Sequence, residues 1–213
     1  YTYGLSTAVL GAAIEKLTKK PFNEFLREAI FAPLGMNDTR FHLTKDDRPR
    51  FQPLFVKTDD GFRPGTPAED ELYYKPDSRL HLGGEGLVST LADYGRFCQM
   101  LVDCGRTPDG QSVISEQTLS VMLEDQLGET PGFSESENGY ALGFGFHIFK
   151  DAERDATGMP EGCYGWGGYH STCFWIDPAN SQYGLFMSRR YPFFGAATPR
   201  LQAAVYRESH RVR

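Results

Sequence analysis

With 213 residues, 40% of them hydrophobic and 23% charged, the chain is long enough for one sizeable domain, or for a domain carrying a subdomain. The formal net charge of −6, with no basic stripe to offset it, argues against nucleic acid as a partner, and no run approaches the roughly 18 apolar residues of a membrane helix. Cys98, Cys104, Cys163 and Cys173 lack CxxC spacing and neighbouring paired histidines, which argues against a metal site and leaves free thiols as the default.

The first residues, Tyr1-Thr2-Tyr3-Gly4-Leu5, run directly into a helical pattern without an initiator Met or a leader, so the sequence reads as a chain cut into. Leu5, Val9, Ala12, Ala13 and Leu17 predict an amphipathic helix over 6–18. Lys19-Lys20-Pro21 closes it, and Phe22, Phe25, Leu26, Ala29 and Ile30 mark a second helix that breaks at Pro33-Leu34-Gly35-Met36. From 37 to about 86 the pattern fades into Asp, Pro, Gly and short apolar pieces. Structureless stretches of that length are uncommon in compact domains and often functional. Residues 37–82 are therefore the candidate for a flap over a substrate, with Phe41, Phe51, Phe55, Phe62, Tyr73 and Tyr74 needing somewhere to pack.

Gly83-Gly84-Glu85-Gly86-Leu87-Val88-Ser89-Thr90 leads into a third helix, N-capped by Thr90 with Asp93, faced by Leu91, Tyr94, Phe97, Leu101 and Val102, and ended at Gly105. A fourth helix is expected over 116–124 behind Ser115, and a polar surface loop over 129–138. Residues 140–149, interrupted by glycines, read as a strand; 171–176 and 183–187 read as two more, joined by turn residues Asp177-Pro178-Ala179-Asn180. Thr198-Pro199 opens a last helix with Leu201, Val205 and Ala204 directed inward. By element type the chain divides into a mainly helical region, 1–138, with its loop excursion at 37–86, and a region of antiparallel strands closed by a helix, 139–213.

Both tryptophans lie in one stretch, Trp166 and Trp175, and glycines at 165, 167 and 168 strip side chains from the start of the 171–176 strand. Glycine costs about 0.5–1 kcal/mol relative to alanine in a strand. Either the backbone bulges or crosses a loop there, which is the commoner case, or something such as a substrate held by main-chain N–H groups must approach closely. The sequence contains no GxSxG, HExxH or Walker A motif, and its five histidines are scattered. Glu85, His170 and Ser171 read as loop or strand surface, with His170 nearest to any substrate by adjacency alone.

Three patterns in order, Tyr3-Gly4-Leu5, the 83–90 glycine segment and Trp166-Gly167-Gly168, together resemble the serine β-lactamase and penicillin-binding-protein superfamily, nearest to the class C-like family VIII carboxylesterases. Tyr3 to Gly11 resembles the Tyr-x-Asn region and the helix after it. The stretch from Pro21-Phe22 through Pro33-Leu34-Gly35-Met36 is the most specific. Gly83-Gly84-x-Gly86-Leu87-x-Ser89-Thr90 is similar to the segment entering the next helix, and Trp166-Gly167-Gly168 to the esterase variant of Lys-Thr-Gly, followed by Phe174-Trp175-Ile176-Asp177-Pro178.

The resemblance implies an α+β fold of the β-lactamase/transpeptidase type with its N-terminal part missing, and acyl transfer by a serine in a Ser-x-x-Lys motif. It makes Tyr3 the proton-shuttling tyrosine. A phenol with an unperturbed pKa near 10 needs a lysine cation beside it for that task. It makes the backbone N–H of Tyr169 an oxyanion-hole donor, and places Leu5, Trp166, Gly167, Gly168 and His170 against the substrate. Leu5 stands where β-lactamases carry Asn, and Trp166 where they carry the lysine that meets the β-lactam carboxylate; both favour an esterase with an apolar acyl pocket. No serine in the chain has lysine three residues later, so an N-terminal segment carrying Ser-x-x-Lys is the expected partner, beside a small-molecule ester or β-lactam. No cofactor, nucleic acid or membrane is implied. The alternatives are a β-lactamase, a D-amino-acid peptidase or an acyltransferase on the same fold, and a ligand-binding module without a nucleophile.

Overall fold

A computed structural model describes residues 1–70, 81–128, 130, 133 and 139–209. The chain forms two compact units, one of Tyr3–Phe97 and one of Tyr1–Thr2 with Cys98–Arg213. The division by element type at 138/139 falls inside the second of these.

In the Tyr3–Phe97 unit, α1 (Ser6–Thr18) ends on Lys19 in the left-handed conformation, and α2 (Phe22–Leu26) continues into a wider π-helical turn, Arg27–Phe31. Glu15 Oε1 accepts the Phe22 N–H at 2.7 Å, tying the two helices where Pro21 leaves the second without a side-chain cap. The apolar stripe that the spacing selects on α1 does not face the unit's interior. Val9, Leu10 and Leu17 are exposed, Leu17 by 81%, and α1 is seated instead through Ala8, Gly11, Ile14 and Thr18. A Cβ on Gly83 would lie 2.1 Å from the Thr7 carbonyl oxygen, so the glycine segment lets the α1 backbone approach it directly. Periodicity reports which face is apolar, not what covers it.

The 37–86 excursion is more ordered than the fading pattern predicts. Arg40 and Val88 form a β-bridge, and β1 (Phe55–Thr58) and β2 (Gly61–Pro64) form a hairpin with Thr58 opposite Gly61. A one-turn helix, α3 (Pro67–Asp70), follows. Phe41 is buried, Phe62 is exposed, and Tyr73 and Tyr74 lie outside the described residues. Asp93 at the start of α4 (Leu91–Val102) accepts Asp38 N–H at 2.7 Å and Thr39 Oγ1 at 3.0 Å, which anchors the segment after Met36. Thr90 Oγ1 accepts the Asp93 N–H at 3.1 Å, the expected cap. The boundary between the units falls within α4.

The second unit continues with α5 (Glu116–Met122), capped by Ser115 Oγ accepting the Thr118 N–H at 3.0 Å. A five-stranded antiparallel meander follows in the order β3 (Tyr140–Leu142), β4 (His147–Phe149), β5 (Tyr164–Gly167), β6 (Cys173–Asp177), β7 (Gln182–Phe186). Two strand expectations are corrected. The 140–149 strand is a hairpin, since Gly143-Phe144-Gly145-Phe146 turns the chain and Gly145 sits at φ +83°. The glycines at 165 and 167 belong to a strand of their own, β5, which returns through a turn at 168–172 into β6. The 129–138 loop lies outside the described residues except for Thr130 and Phe133.

The last helix, α6 (Ala197–Ser209), faces inward through Gln202 and Tyr206 rather than Val205 and Ala204; Val205 is 43% exposed, while Leu201 is partly buried as expected. The reason is polar. Tyr206 OH accepts Trp175 Nε1–H at 3.1 Å and donates to Asp177 Oδ2 at 2.9 Å, and this network fixes the helix's phase. Asp177 is fully buried. Burial pushes its carboxyl up, but hydrogen bonds from Asn180, Gln182 and Tyr206 outweigh that and hold it below the ordinary value. Among the described residues, no helix is long and apolar enough to cross a membrane.

Candidate active-site strand and tyrosine

The turn after β5 is held on both sides. Gly168 N–H donates to Thr172 O at 2.8 Å, and Ser171 N–H to Gly168 O at 2.9 Å, so 168–171 is a hydrogen-bonded β-turn with Tyr169 at its second position. The His170 carbonyl accepts Ser188 Oγ at 2.6 Å and Arg190 N–H at 3.2 Å. Ser171, expected on a strand surface, is buried at φ +66° and its Oγ accepts Phe194 N–H at 2.9 Å. It is a turn anchor. Among the described residues the Tyr169 N–H has no acceptor, and Tyr169 itself is exposed. The turn thus leaves the Tyr169 N–H, at the end of β5, without a partner among the described residues.

The three glycines separate on steric grounds. A Cβ on Gly165 would lie 2.1 Å from Phe174 O and 2.8 Å from the Trp175 Cα, so close strand pairing accounts for that glycine. On Gly168 it would meet Thr172 Oγ1 at 2.1 Å, a side-chain contact within the turn. On Gly167, which is exposed, the nearest atom would be Thr172 O at 3.6 Å, ordinary contact. Among the described residues nothing demands glycine at 167.

Trp166 is half-buried on β5, with its ring centroid 4.0 Å from that of His147 on β4. Tyr169 stands beside His170 at 5.2 Å and Tyr191 at 6.1 Å. Trp166, Gly167, Gly168, Tyr169 and His170 are therefore one local cluster. Tyr3 and Leu5 lie in the other unit, just ahead of α1; Tyr3 is 73% exposed, and Leu5 is exposed likewise. His147 had no signal in the sequence, because its meeting with Trp166 depends on strand register, His147 opposite Gly165.

Cys163 and Cys173 flank the cluster but offer no substitute nucleophile. Burial pushes the Cys163 thiol up to about 12, with the Asp177 carboxylate adding to it, and burial raises Cys173 as well. Both are buried neutral thiols. Among the described residues, no group of three or more His, Cys, Asp or Glu could hold a metal ion.

A cavity of about 170 Å³ lies in the Tyr3–Phe97 unit, lined in part by Asn23, Arg27, His42 and His81. Asn23 Oδ1 and both ring nitrogens of His42 are buried there without partners among the described residues. Burial and the neighbouring His42 depress the His81 pKa. Phe31 and Phe41 also line it, and its surface is mainly apolar, so the orphaned Asn23 and His42 atoms are the groups an ordered water would satisfy.

Residues 1–207 match the family model described as Beta-lactamase. Protein Rv1367c of Mycobacterium tuberculosis is 28% identical over 199 residues, 90% of this chain and 49% of that protein. The structure of EstCE1, described as a hydrolase with promiscuous acyltransferase activity, superimposes with a TM-score of 0.77 at 22% identity, covering 96% of this chain and 55% of that one. Simvastatin synthase (LovD) from Aspergillus terreus gives a TM-score of 0.77 at 21% identity, covering 96% and 54%. The chain spans about half the length of these relatives.

Proposed function

The chain belongs to the beta-lactamase family, and from that premise we propose that it carries part of the site of a serine hydrolase acting on small carboxylic esters through an acyl-enzyme. The family and its hydrolase and acyltransferase relatives support the general class. The ester preference is our reading of Trp166 and Leu5, an indole and an isobutyl group where a lactamase carries lysine and asparagine.

In this mechanism a serine attacks the ester carbonyl, its proton leaving through Tyr3 and a lysine beside it. The carbonyl oxygen gains negative charge as the tetrahedral intermediate forms. The Tyr169 N–H donates to that oxygen, and the alcohol departs with a proton returned by the same tyrosine. Water then repeats the sequence against the acyl-serine. The serine and lysine come from a segment preceding Tyr1, since no Ser-x-x-Lys occurs within the chain. The exposed apolar side chains of Val9, Leu10 and Leu17 on α1 support such a segment, being surface that a further part of a longer polypeptide would cover.

The observation that carries this reading is the Tyr169 N–H, without an acceptor among the described residues, on a turn fixed at Gly168 and Ser171, with Gly167 open beside it. The test is to assay the full-length protein side by side on p-nitrophenyl butyrate, nitrocefin and a D-alanyl dipeptide. The expected order of kcat/KM puts the ester first. Nitrocefin or the peptide leading would replace the esterase assignment with a lactamase or peptidase on the same fold.

A further inference from the structure

We propose that His147 is a positioning residue that holds the Trp166 indole as a flat wall, and that this wall selects esters bearing an aromatic group; the proposal rests on the acyl-transfer reading above. His147 lies on β4 directly opposite Gly165, so the residue across the strand pair offers it no side chain. Its ring meets Trp166 instead, with centroids 4.0 Å apart and planes tilted by 47°. On its other sides stand Phe133 at 5.5 Å and Tyr140 at 6.3 Å. Phe133 is buried and stands edge-on to Tyr1 at 5.6 Å. His147 thus stands between the buried Phe133 ring on one side and the half-buried indole on the other.

The placement of the indole bears on the site. The indole adjoins Gly167, where among the described residues a Cβ would make only ordinary contact, so a ligand lying at the end of β5 meets the indole next. A flat, polarisable surface at that point favours a flat group stacked on it over a methyl group of smaller area. The aromatic group could sit in the acyl or the alcohol part of the ester, and phenylacetate esters of small alcohols and acetate esters of benzyl alcohol separate the two.

The positioning claim is tested on the full-length protein by acrylamide quenching of tryptophan fluorescence, with the signal of a Trp166→Phe variant subtracted to isolate this indole from Trp175, itself only 5% exposed, and from any other tryptophan. His147→Ala should raise the quenching constant and His147→Phe should restore it. The specificity claim is tested on the full-length enzyme. His147→Ala should raise KM for the preferred phenyl-bearing ester by roughly three- to tenfold, the worth of one aromatic pair, with kcat little changed and KM for methyl acetate unaltered. His147→Phe should bring KM back. Should His147→Ala not fold, His147→Gln carries both readouts. Unchanged quenching, or an unchanged ratio of KM between phenyl-bearing and methyl esters, overturns the proposal. Increased quenching together with no ester hydrolysis by the full-length protein would overturn the acyl-transfer reading and leave the ring geometry standing.

Discussion

Replacing Tyr3 by Phe in the full-length protein should lower kcat/KM for p-nitrophenyl butyrate by about 10²–10⁴-fold, the range that a positioned acid–base group contributes. Only the hydroxyl is removed, so the effect should fall on kcat more than on KM. Tyr3→Phe keeps the ring and opens no cavity, so a thermal melt separates any loss of folding from a loss of chemistry. A fall in activity at unchanged Tm is therefore chemistry and not folding. Steady-state kinetics with a thermal melt on the same preparation make the comparison. A Tyr3→Phe enzyme with undiminished kcat would remove the tyrosine from the mechanism.

Tyr169→Pro should cost about 10²–10³-fold in kcat, the usual loss for one oxyanion-hole donor. The substitution is chosen for its backbone. Tyr169 occupies the second position of the turn closed by Ser171 N–H to Gly168 O, and proline is favoured at that position because its fixed φ suits the turn. Among the described residues the Tyr169 N–H bonds to nothing, so proline removes no hydrogen bond of the fold. Tyr169→Ala is the control, since it deletes the ring and its contacts with His170 and Tyr191 while keeping the N–H. Loss of kcat in the proline variant alone is the expected pattern, read from kcat of both variants. Equal loss in both would move the role from the backbone to the phenol ring.

What could be read in the sequence was mostly local. The bounds of α1, the caps at Thr90 and Ser115, and the break after Met36 follow from capping chemistry and turn residues within a few positions of one another. The family resemblance was legible from short runs such as Pro33-Leu34-Gly35-Met36 and Trp166-Gly167-Gly168, and the model match over 1–207 bears it out. The misses were non-local. The 55–64 hairpin is short and charged, so no alternation marks it, and the division of 140–149 into two strands depends on where Gly143 and Gly145 let the chain reverse. On α6 the apolar spacing points to Val205, whereas a buried hydroxyl–carboxylate bond turns Tyr206 inward. In α1 the spacing marks an apolar stripe, yet Leu17 stands exposed, for a helix's own sequence does not name its partner surface.

The same division runs through the candidate site. The cluster from Trp166 to His170 could be located because five consecutive residues carry it. What the glycines do could not. Space around Gly165 and Gly167 differs by the position of Phe174 O, which only strand pairing supplies. His147 illustrates the limit: it is one of five scattered histidines until its strand is placed opposite β5.

Intact-mass analysis of the full-length protein after treatment with a fluorophosphonate probe tests the central claim most directly. An acyl-transfer enzyme of this kind should gain one probe mass, and peptide mapping should place it on a serine followed three residues later by lysine, outside the 213 residues described by this sequence. No adduct, or an adduct on one of the chain's own serines, would contradict the mechanism assigned to Tyr3 and the Tyr169 N–H.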